Sequence, residues 1–229
     1  MKGLFSLVFV VITVGANAQG MLGINAKIYQ TKGDFNKNVE AVPAGISFNY
    51  LQGLKNNKFS LGGELGIAMY ANNQYDFETA SGKTITIDEE DCFWTLHADF
   101  RYYFYRIPAL KAYGQTRVGM TTFFSSRTPM ESTNEFKESF EFHGTAFNMG
   151  IGGGMLLNFR QIFKKEAGVI NLDLGAAVHS GSTANYRYMP EGTLSDTLDD
   201  GVYKSVTNYI DYRIGLLFIP SQRVRQNDQ

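Results

Sequence analysis

The residues in this chain that suit acid–base or nucleophilic chemistry are its 3 histidines and the serines that follow one of them. His179, Ser180 and Ser182 form the most enzyme-like group, because a histidine can act as the base that activates a serine hydroxyl for attack on an ester. No serine adjoins His97 or His143. Serines also suit the beginning of a loop, so ester hydrolysis at His179 stays an alternative hypothesis.

Two acidic runs, at residues 88–91 and 199–200, offer the carboxylates that Ca²⁺ or Mg²⁺ prefers. Neither run has metal-ligand spacing, and solvated loop charge explains both more simply. The glycine-rich run at 150–154 lacks the Lys-Ser/Thr pair of a phosphate-binding loop, and no basic patch indicates nucleic-acid binding. We therefore expect no cofactor, no metal site and no nucleic-acid partner.

The segments that position these residues show a period of two. In residues 92–105 the even positions, from Cys92 to Phe104, are uncharged, whereas the odd positions include His97, Asp99 and Arg101. A β-strand alternates its faces with this period, so one face is apolar and the other is polar. The segment is long enough to cross a bilayer, which takes roughly 9–11 residues in a tilted strand.

The same alternation recurs along the chain and predicts eight strands, at 20–29, 43–51, 59–71, 92–105, 111–124, 143–159, 168–179 and 205–219. Short connections alternate with long ones, and the long ones are 30–42, 72–91, 125–142 and 180–204. Outer-membrane barrels have short periplasmic turns and longer extracellular loops. The sequence thus predicts an all-β fold: an eight-stranded antiparallel up-and-down transmembrane β-barrel with both termini in the periplasm.

The two faces of the predicted strands differ in charge. The face expected to point outward holds residues such as Leu22, Ile24 and Trp94 and no charged residue. The opposite face holds eight charged residues, four of each sign: Lys27, Glu64, Asp99, Arg101, Arg117, Asp173, Asp211 and Arg213. The interior of an eight-stranded barrel is just wide enough for side chains to fill it, and enclosed charges have to pair. We therefore expect a lumenal charge network that plugs the barrel.

With this architecture the chain resembles the small outer-membrane barrels of the OmpA/OmpX type, and the outer-membrane β-barrel-domain families of Gram-negative bacteria, over roughly residues 20–219. The run from Arg213 to Phe218 resembles part of the last-strand signal for barrel assembly, although Pro220 and a polar tail follow it. The resemblance implies a protein of the cell envelope. Some barrels of this size deacylate lipid A, which is the reaction that the alternative assigns to His179 and Ser180.

The N-terminal residues of the chain predict that it is exported. Residues 1–18 have the features of a secretory signal peptide: Lys2, an apolar run at 4–14, and a small-residue cleavage site at 16–18. We expect the barrel to occupy residues 19–219 and a polar periplasmic tail to occupy 220–229. A single cysteine, Cys92, excludes an internal disulfide.

The main hypothesis is a non-enzymatic outer-membrane barrel with a plugged polar lumen, either structural or binding a partner or ligand through long acidic extracellular loops. Its expected surroundings are outer-membrane lipid and lipopolysaccharide, and an envelope protein is a candidate partner of the loops. Two alternatives remain: a lipid-modifying barrel enzyme of the lipid A deacylase type, and a secreted lipocalin-like carrier with the apolar face inside. Against the carrier, Trp94 and the Phe, Met and Leu residues of that face would crowd a small interior.

Overall fold

The computed structural model describes residues 20–39, 41–54, 58–79, 81–130, 138–159, 169–195 and 201–219. The predicted signal peptide (1–18) and polar tail (220–229) lie outside these ranges. The strands are β1 (Gly20–Lys32), β2 (Ala44–Gly53), β3 (Phe59–Glu78), β4 (Thr84–Ile107), β5 (Leu110–Pro129), β6 (Ser139–Asn158), β7 (Val169–Gly181), β8 (Thr183–Arg187), β9 (Leu194–Ser195), β10 (Val202–Val206) and β11 (Asn208–Ile219), and a short helix, α1, covers Asp34–Asn38. In the described ranges we find no helix with the length and apolar character needed to span a membrane.

Antiparallel pairing joins the longer strands into a closed ring. β1 pairs with β2 on one side and with β11 on the other, and β11 pairs with β7. The strands from β2 to β7 pair in chain order and complete the circuit. The predicted all-β barrel is therefore confirmed. The β4–β5 turn and both described ends of the chain lie at one end of the ring, which we call the short-turn end; α1 and β8 lie at the opposite end, which we call the long-loop end.

The uncharged face of the strands is the exposed face. Leu22 and Ile24 of β1 are 56% and 47% exposed, whereas Lys27 in the same strand is 2% exposed. This is the reverse of what a lipocalin-like carrier requires. We call the exposed band the apolar belt; its members include Leu22, Ile46, Leu65, Leu96, Val118, Phe147, Ile151, Val178, Ile214 and Phe218. Toward the long-loop end the belt reaches Ala44 in β2, Met69 in β3 and Trp94 in β4.

Phe124 faces outward but is buried, as is Cys92, with which it pairs. Its ring contacts the rings of Trp94, Phe140 and Phe142 at centroid distances of 5.7, 5.1 and 6.3 Å. Aromatic pairs in such offset and edge-on arrangements bury much area. Phe124 therefore lies beneath an aromatic cluster on the outer surface of the ring.

The largest extensions of strands beyond their predicted ends are in β3, β4 and β5. β3 and β4 pair as far as Glu78 and Thr84, and β4 and β5 pair as far as Ile87 and Pro129. The predicted loops 72–91 and 125–142 are thus largely strand in the described residues. A hairpin continues as long as its backbone groups pair, whereas the alternation of apolar residues ends where the belt ends. The sequence pattern therefore predicts the extent of the belt and not the full length of the strand.

The remaining long connections fold over the long-loop end. β8 pairs with β10 in a separate two-stranded sheet, and β9 pairs in parallel with β3. The predicted strand at 205–219 is therefore divided between β10 and β11, with Thr207 at the division. Phe35 of α1 is buried, and its ring contacts those of Phe123 and Tyr186 at centroid distances of 5.7 and 4.8 Å.

Candidate functional site

The eight charged residues assigned to the lumen lie inside the ring, and none is more than 4% exposed. They come from six strands: Lys27 from β1, Glu64 from β3, Asp99 and Arg101 from β4, Arg117 from β5, Asp173 from β7, and Asp211 and Arg213 from β11. We call these eight residues the charge network. Each lies on the polar face because strand alternation places its neighbours in the belt.

The half of the network nearer the long-loop end is a square of alternating charge. Lys27 forms ion pairs with Glu64 and, at 3.1 Å, with Asp211. Arg117 faces the same two carboxylates, at 3.3 Å from Glu64 and 2.5 Å from Asp211. Each cation thus has two anionic partners, which is the condition under which charges are tolerated away from water.

The half nearer the short-turn end is organised around Asp173. Arg101 Nη1 donates to Asp173 Oδ2 at 2.8 Å, and Arg213 Nε lies 3.6 Å from the same oxygen. Arg101 Nε also donates to Asp99 Oδ2 at 3.3 Å. Arg117 Nε, 3.8 Å from Asp99 Oδ2, connects the two halves. The network is continuous along the barrel axis.

The sequence reasoning missed Tyr113, which belongs to this half. Its hydroxyl donates to Asp173 Oδ1 at 2.5 Å and accepts from Arg213 Nη2 at 2.5 Å. Arg213 Nη2 also donates to Gln115 at 2.6 Å. The alternation of strand faces could have identified Tyr113, because Tyr113 and Gln115 lie on the same polar face of β5 as Arg117.

Glycines make room for these large side chains. A Cβ at Gly150 would lie 2.6 Å from the ring of His179, and one at Gly175 would lie 3.0 Å from the Arg213 guanidinium. At Gly152 a Cβ would lie 2.1 Å from the carbonyl oxygen of Ala176. The glycines at 150 and 152 belong to the glycine-rich run that the sequence distinguished from a phosphate loop, and they lie inside strand β6.

Comparison with known proteins finds no matching family model and no matching curated protein. Among solved structures, Neisserial surface protein A matches with a TM-score of 0.50 and 12% identity, over 87% of this chain and 96% of that chain. The chain has the fold of a small outer-membrane β-barrel. Ail of Yersinia pestis matches with a TM-score of 0.46 and 12% identity, over 89% of this chain and 99% of that chain. A major outer membrane protein from Thermus thermophilus matches with a TM-score of 0.49 and 10% identity, over 88% of this chain and 99% of that chain.

The barrel does not bring His179 and Ser180 together. His179 points inward, 3.5 Å from Asp211 and stacked on Tyr209 at 4.5 Å, whereas Ser180 is exposed on the outer face. Ser182 is also exposed, and its hydroxyl accepts from the backbone N–H of Phe147 at 3.0 Å. Adjacent residues of a strand point to opposite faces. The most enzyme-like group of the sequence is therefore not a site in this structure.

The other two histidines are in polar contacts of the barrel. His97 Nε2 lies 2.6 Å from Asn148 Oδ1, and its ring faces that of His179 at 5.3 Å. His143 Nε2 lies 2.8 Å from Ser125 Oγ. Ser125 is fully buried, so its hydroxyl is not accessible to a substrate in this conformation.

A second buried group of charges lies at the long-loop end of the barrel, and the sequence reasoning misjudged it. Glu89 and Asp91 are each 1% exposed, so the interpretation of this acidic run as solvated loop charge is wrong for these two residues. Both lie inside the β3–β4 hairpin because alternation continues there, while Glu90 between them is exposed. Arg127 and Arg187 lie beside the Glu89 carboxylate. We call these four residues the outer cluster.

The outer cluster is electrostatically asymmetric. Arg187 contacts Glu89 at 2.8 Å, and Arg127 lies 4.0 Å from the same carboxylate. Asp91 accepts a hydrogen bond from Ser125. Asp91 lies beyond the apolar belt, and its burial, with the nearby Glu89 carboxylate, raises its pKa to about 8. The described residues contain no group of three or more His, Cys, Asp or Glu residues placed to hold a metal ion.

Proposed function

We propose that this protein is a non-enzymatic barrel of the bacterial outer membrane, closed by its own side chains. The observation that carries the proposal is the apolar belt. Phe147, Met149 and Ile151 in β6 are 72%, 67% and 68% exposed, which would be unfavourable in water over so large an area. Outer-membrane barrels present such a band to lipid, flanked by aromatic residues, and Trp94 and Phe142 hold that position at the long-loop end.

A plugged lumen is supported by two layers of mainly apolar side chains, one on each side of the charge network. Toward the short-turn end the buried layer includes Leu51, Tyr103, Leu156 and Leu217. Toward the long-loop end a layer of aromatic rings is formed by Tyr29, Phe35, Tyr70, Phe93, Phe123, Tyr186 and Tyr209. We propose that ions and solutes do not pass through this stack at a measurable rate.

The orientation in the membrane follows from the ends of the ring. Leu22 near the beginning of β1 pairs with Phe218 near the end of β11, so both described ends of the chain lie at the short-turn end. We propose that this end faces the periplasm and that residues 1–18 direct export. The long-loop end then faces outward.

We propose that the acidic outer surface recognises a partner. Asp76, Glu78 and Glu90 of the β3–β4 hairpin lie beyond the belt, and Glu90 is exposed. A negative patch favours a partner with a basic surface, and an envelope protein is the candidate class. Around the belt itself the surroundings would be outer-membrane lipid and lipopolysaccharide.

The first test is electrophoresis of unheated and boiled protein extracted from outer-membrane fractions. A compact, faster-migrating unheated band is expected for a closed membrane barrel, and a soluble protein without a shift would contradict the proposal.

In planar bilayers we expect small or absent conductance, and large stable channels would contradict the plugged lumen. Unchanged lipid A masses with and without the gene are expected for a protein that is not a lipid A deacylase.

A further inference from the structure

The ring wall is notched between β2 and β3 at the long-loop end. Ala44, the first residue of β2, pairs with Met69 of β3, and β3 continues as far as Glu78. The next strand on that side of β3 is β9, which pairs at Asp76 with Leu194. In the part of the chain that is described, residues 70–75 therefore have no strand partner on this side.

A groove of about 360 Å³ opens at this notch. Its lining includes Val42, Met69, Tyr70, Ala71, Asn72 and Tyr188. None of the residues that line it is charged. Val42 and Met69 are 66% and 41% exposed, whereas Tyr70 is buried and donates from its hydroxyl to the carbonyl oxygen of Arg187 at 2.8 Å. The groove thus has an uncharged, mainly apolar lining, a fixed aromatic floor and an open side.

The groove is continuous with the apolar belt. Ala44 and Met69 line its lower edge, and two residues further toward the belt Ile46 pairs with Ile67. Both isoleucines are exposed, at 47% and 40%. An extended apolar chain that lies on Ile46 and Ile67 reaches the groove without passing a charged residue.

We propose that the groove holds the upper part of an acyl chain of an outer-leaflet lipid, an inference that rests on the proposed membrane insertion. The apolar lining and the lack of a lining cation favour the chain over a phosphate or carboxylate head group. The Asn72 amide, exposed at the rim, offers donors for the ester carbonyl of the chain. The head group then lies outside the groove, at the membrane surface.

An added β-strand is the other occupant that an unpaired edge suggests, and the structure favours it less. The free backbone edge is limited to residues 70–73, because the Gln74 carbonyl accepts from the Gly192 N–H at 2.9 Å. Strands in sheets are usually about 5–6 residues long. The gap is therefore too short for stable strand addition.

The test uses tryptophan quenching by lipid whose acyl chains are brominated near the carbonyl end. Trp94 is the single tryptophan and lies in the belt, so its quenching in brominated phosphatidylcholine vesicles reports membrane insertion itself. The probe for the groove is Val42→Trp in a Trp94→Phe background, and Asn72→Trp in the same background is a second probe. The control is Thr128→Trp in the same background, since Thr128 is exposed on the outer face of β5, beyond the residue that pairs with Phe140 and away from the notch. The gel shift shows that each variant is folded.

We expect quenching of the Val42→Trp and Asn72→Trp probes to be about twofold stronger than that of the Thr128→Trp control, because a lined groove covers most of its ligand. Equal quenching at the three positions, with Trp94 of the wild type quenched, would overturn the groove proposal alone. An unquenched Trp94 would overturn the membrane proposal. Quenching by added brominated fatty acid in unbrominated vesicles, but not by the brominated phospholipid, would overturn a membrane lipid as the occupant.

Discussion

Arg187, the last residue of β8, donates from Nε to both carboxylate oxygens of Glu89 in β4, at 3.0 and 2.8 Å. The two residues are 98 positions apart in the chain. Arg187 also lies over the ring of Tyr75, 5.8 Å from its centroid. The contact therefore fixes the β8–β10 sheet to the wall of the barrel and keeps the aromatic layer of the long-loop end in place.

Arg187→Met is expected to loosen the β8–β10 sheet. The substitution removes one partner of a buried pair, which typically costs about 3–5 kcal/mol because the other charge stays buried. The measurement is limited proteolysis with trypsin, followed by mass spectrometry of cleavage after Lys204, an exposed residue of β10. We expect cleavage to be faster than in the wild type while the gel shift of the barrel remains.

The control for this experiment is Glu90→Gln, which removes an exposed carboxylate next to Glu89 in β4. It should leave the cleavage rate unchanged. Glu89→Met combined with Arg187→Met should be cleaved more slowly than Arg187→Met alone, because no uncompensated partner of this pair remains. Equal cleavage of the wild type and Arg187→Met would show that the pair does not hold the sheet.

Arg117→Met is expected to lower the stability of the barrel. Arg117 contacts Asp211 at 2.5 Å, Glu64 at 3.3 Å and Asp99 at 3.8 Å, so it connects both halves of the charge network. Its loss leaves carboxylates short of a partner, at a cost of about 3–5 kcal/mol. The urea midpoint of the unheated band measures this, with Thr116→Ala as the control because Thr116 is exposed on the same strand. Equal midpoints for the two variants would refute a stabilising network.

The inward position of the charge network could be predicted from the sequence because it depends only on the charge of each residue and on its place in its own strand. An unpaired Arg or Lys in the belt would cost roughly 2–4 kcal/mol. The alternation of strand faces is therefore enough to place Lys27 and Arg117 inside the ring and Leu22 and Val118 outside it. Which charges contact each other could not be predicted. Lys27 and Asp211 are 184 positions apart, and their contact depends on ring closure between β1 and β11.

The structure of the long-loop end was harder to predict, because neither its strands nor its contacts have a clear local signal in the sequence. Polar alternation outside the belt looks like a loop, so the β3–β4 hairpin and the burial of Glu89 were missed. The return of β8 over the barrel depends on Arg187 and on the packing of Tyr186 with Phe35, which are contacts of high sequence separation. The burial of Phe124 on the outer face could not be predicted, because it depends on a neighbouring strand that carries Phe140 and Phe142.

Gly152→Ala is expected to destabilise the barrel, whereas Gly114→Ala is not. A Cβ at Gly152 would lie 2.1 Å from the carbonyl oxygen of Ala176, while the nearest atom to a Cβ at Gly114 would be 4.0 Å away. The first contact involves backbone of β7, which cannot move without breaking strand pairing, and such overpacking costs about 1–3 kcal/mol. Urea midpoints of the two variants provide the comparison, and equal midpoints would contradict close packing of β6 on β7.

Asp91→Asn is expected to stabilise the barrel more at alkaline pH than at acid pH. Burial, together with the Glu89 carboxylate, raises the pKa of Asp91 from 3.8 to about 8, so the folded protein holds a proton that the unfolded chain has lost. The stability of the wild type therefore falls as the pH rises between these two values. Asparagine is neutral throughout and can still accept the hydrogen bond from Ser125.

The measurement is the urea midpoint of both proteins at about pH 5 and about pH 9, on either side of the raised value. Because each unit of pKa displacement corresponds to about 1.4 kcal/mol, the advantage of Asp91→Asn should increase by more than ~1 kcal/mol between the two conditions. Glu90→Asn is the control, since that carboxylate is exposed, and it should show no such increase. The difference between the two variants also cancels the titration of groups that do not interact with Asp91, such as His143. An advantage that is the same at both pH values would mean that Asp91 is ionised in the folded barrel and compensated by Arg127 and Arg187.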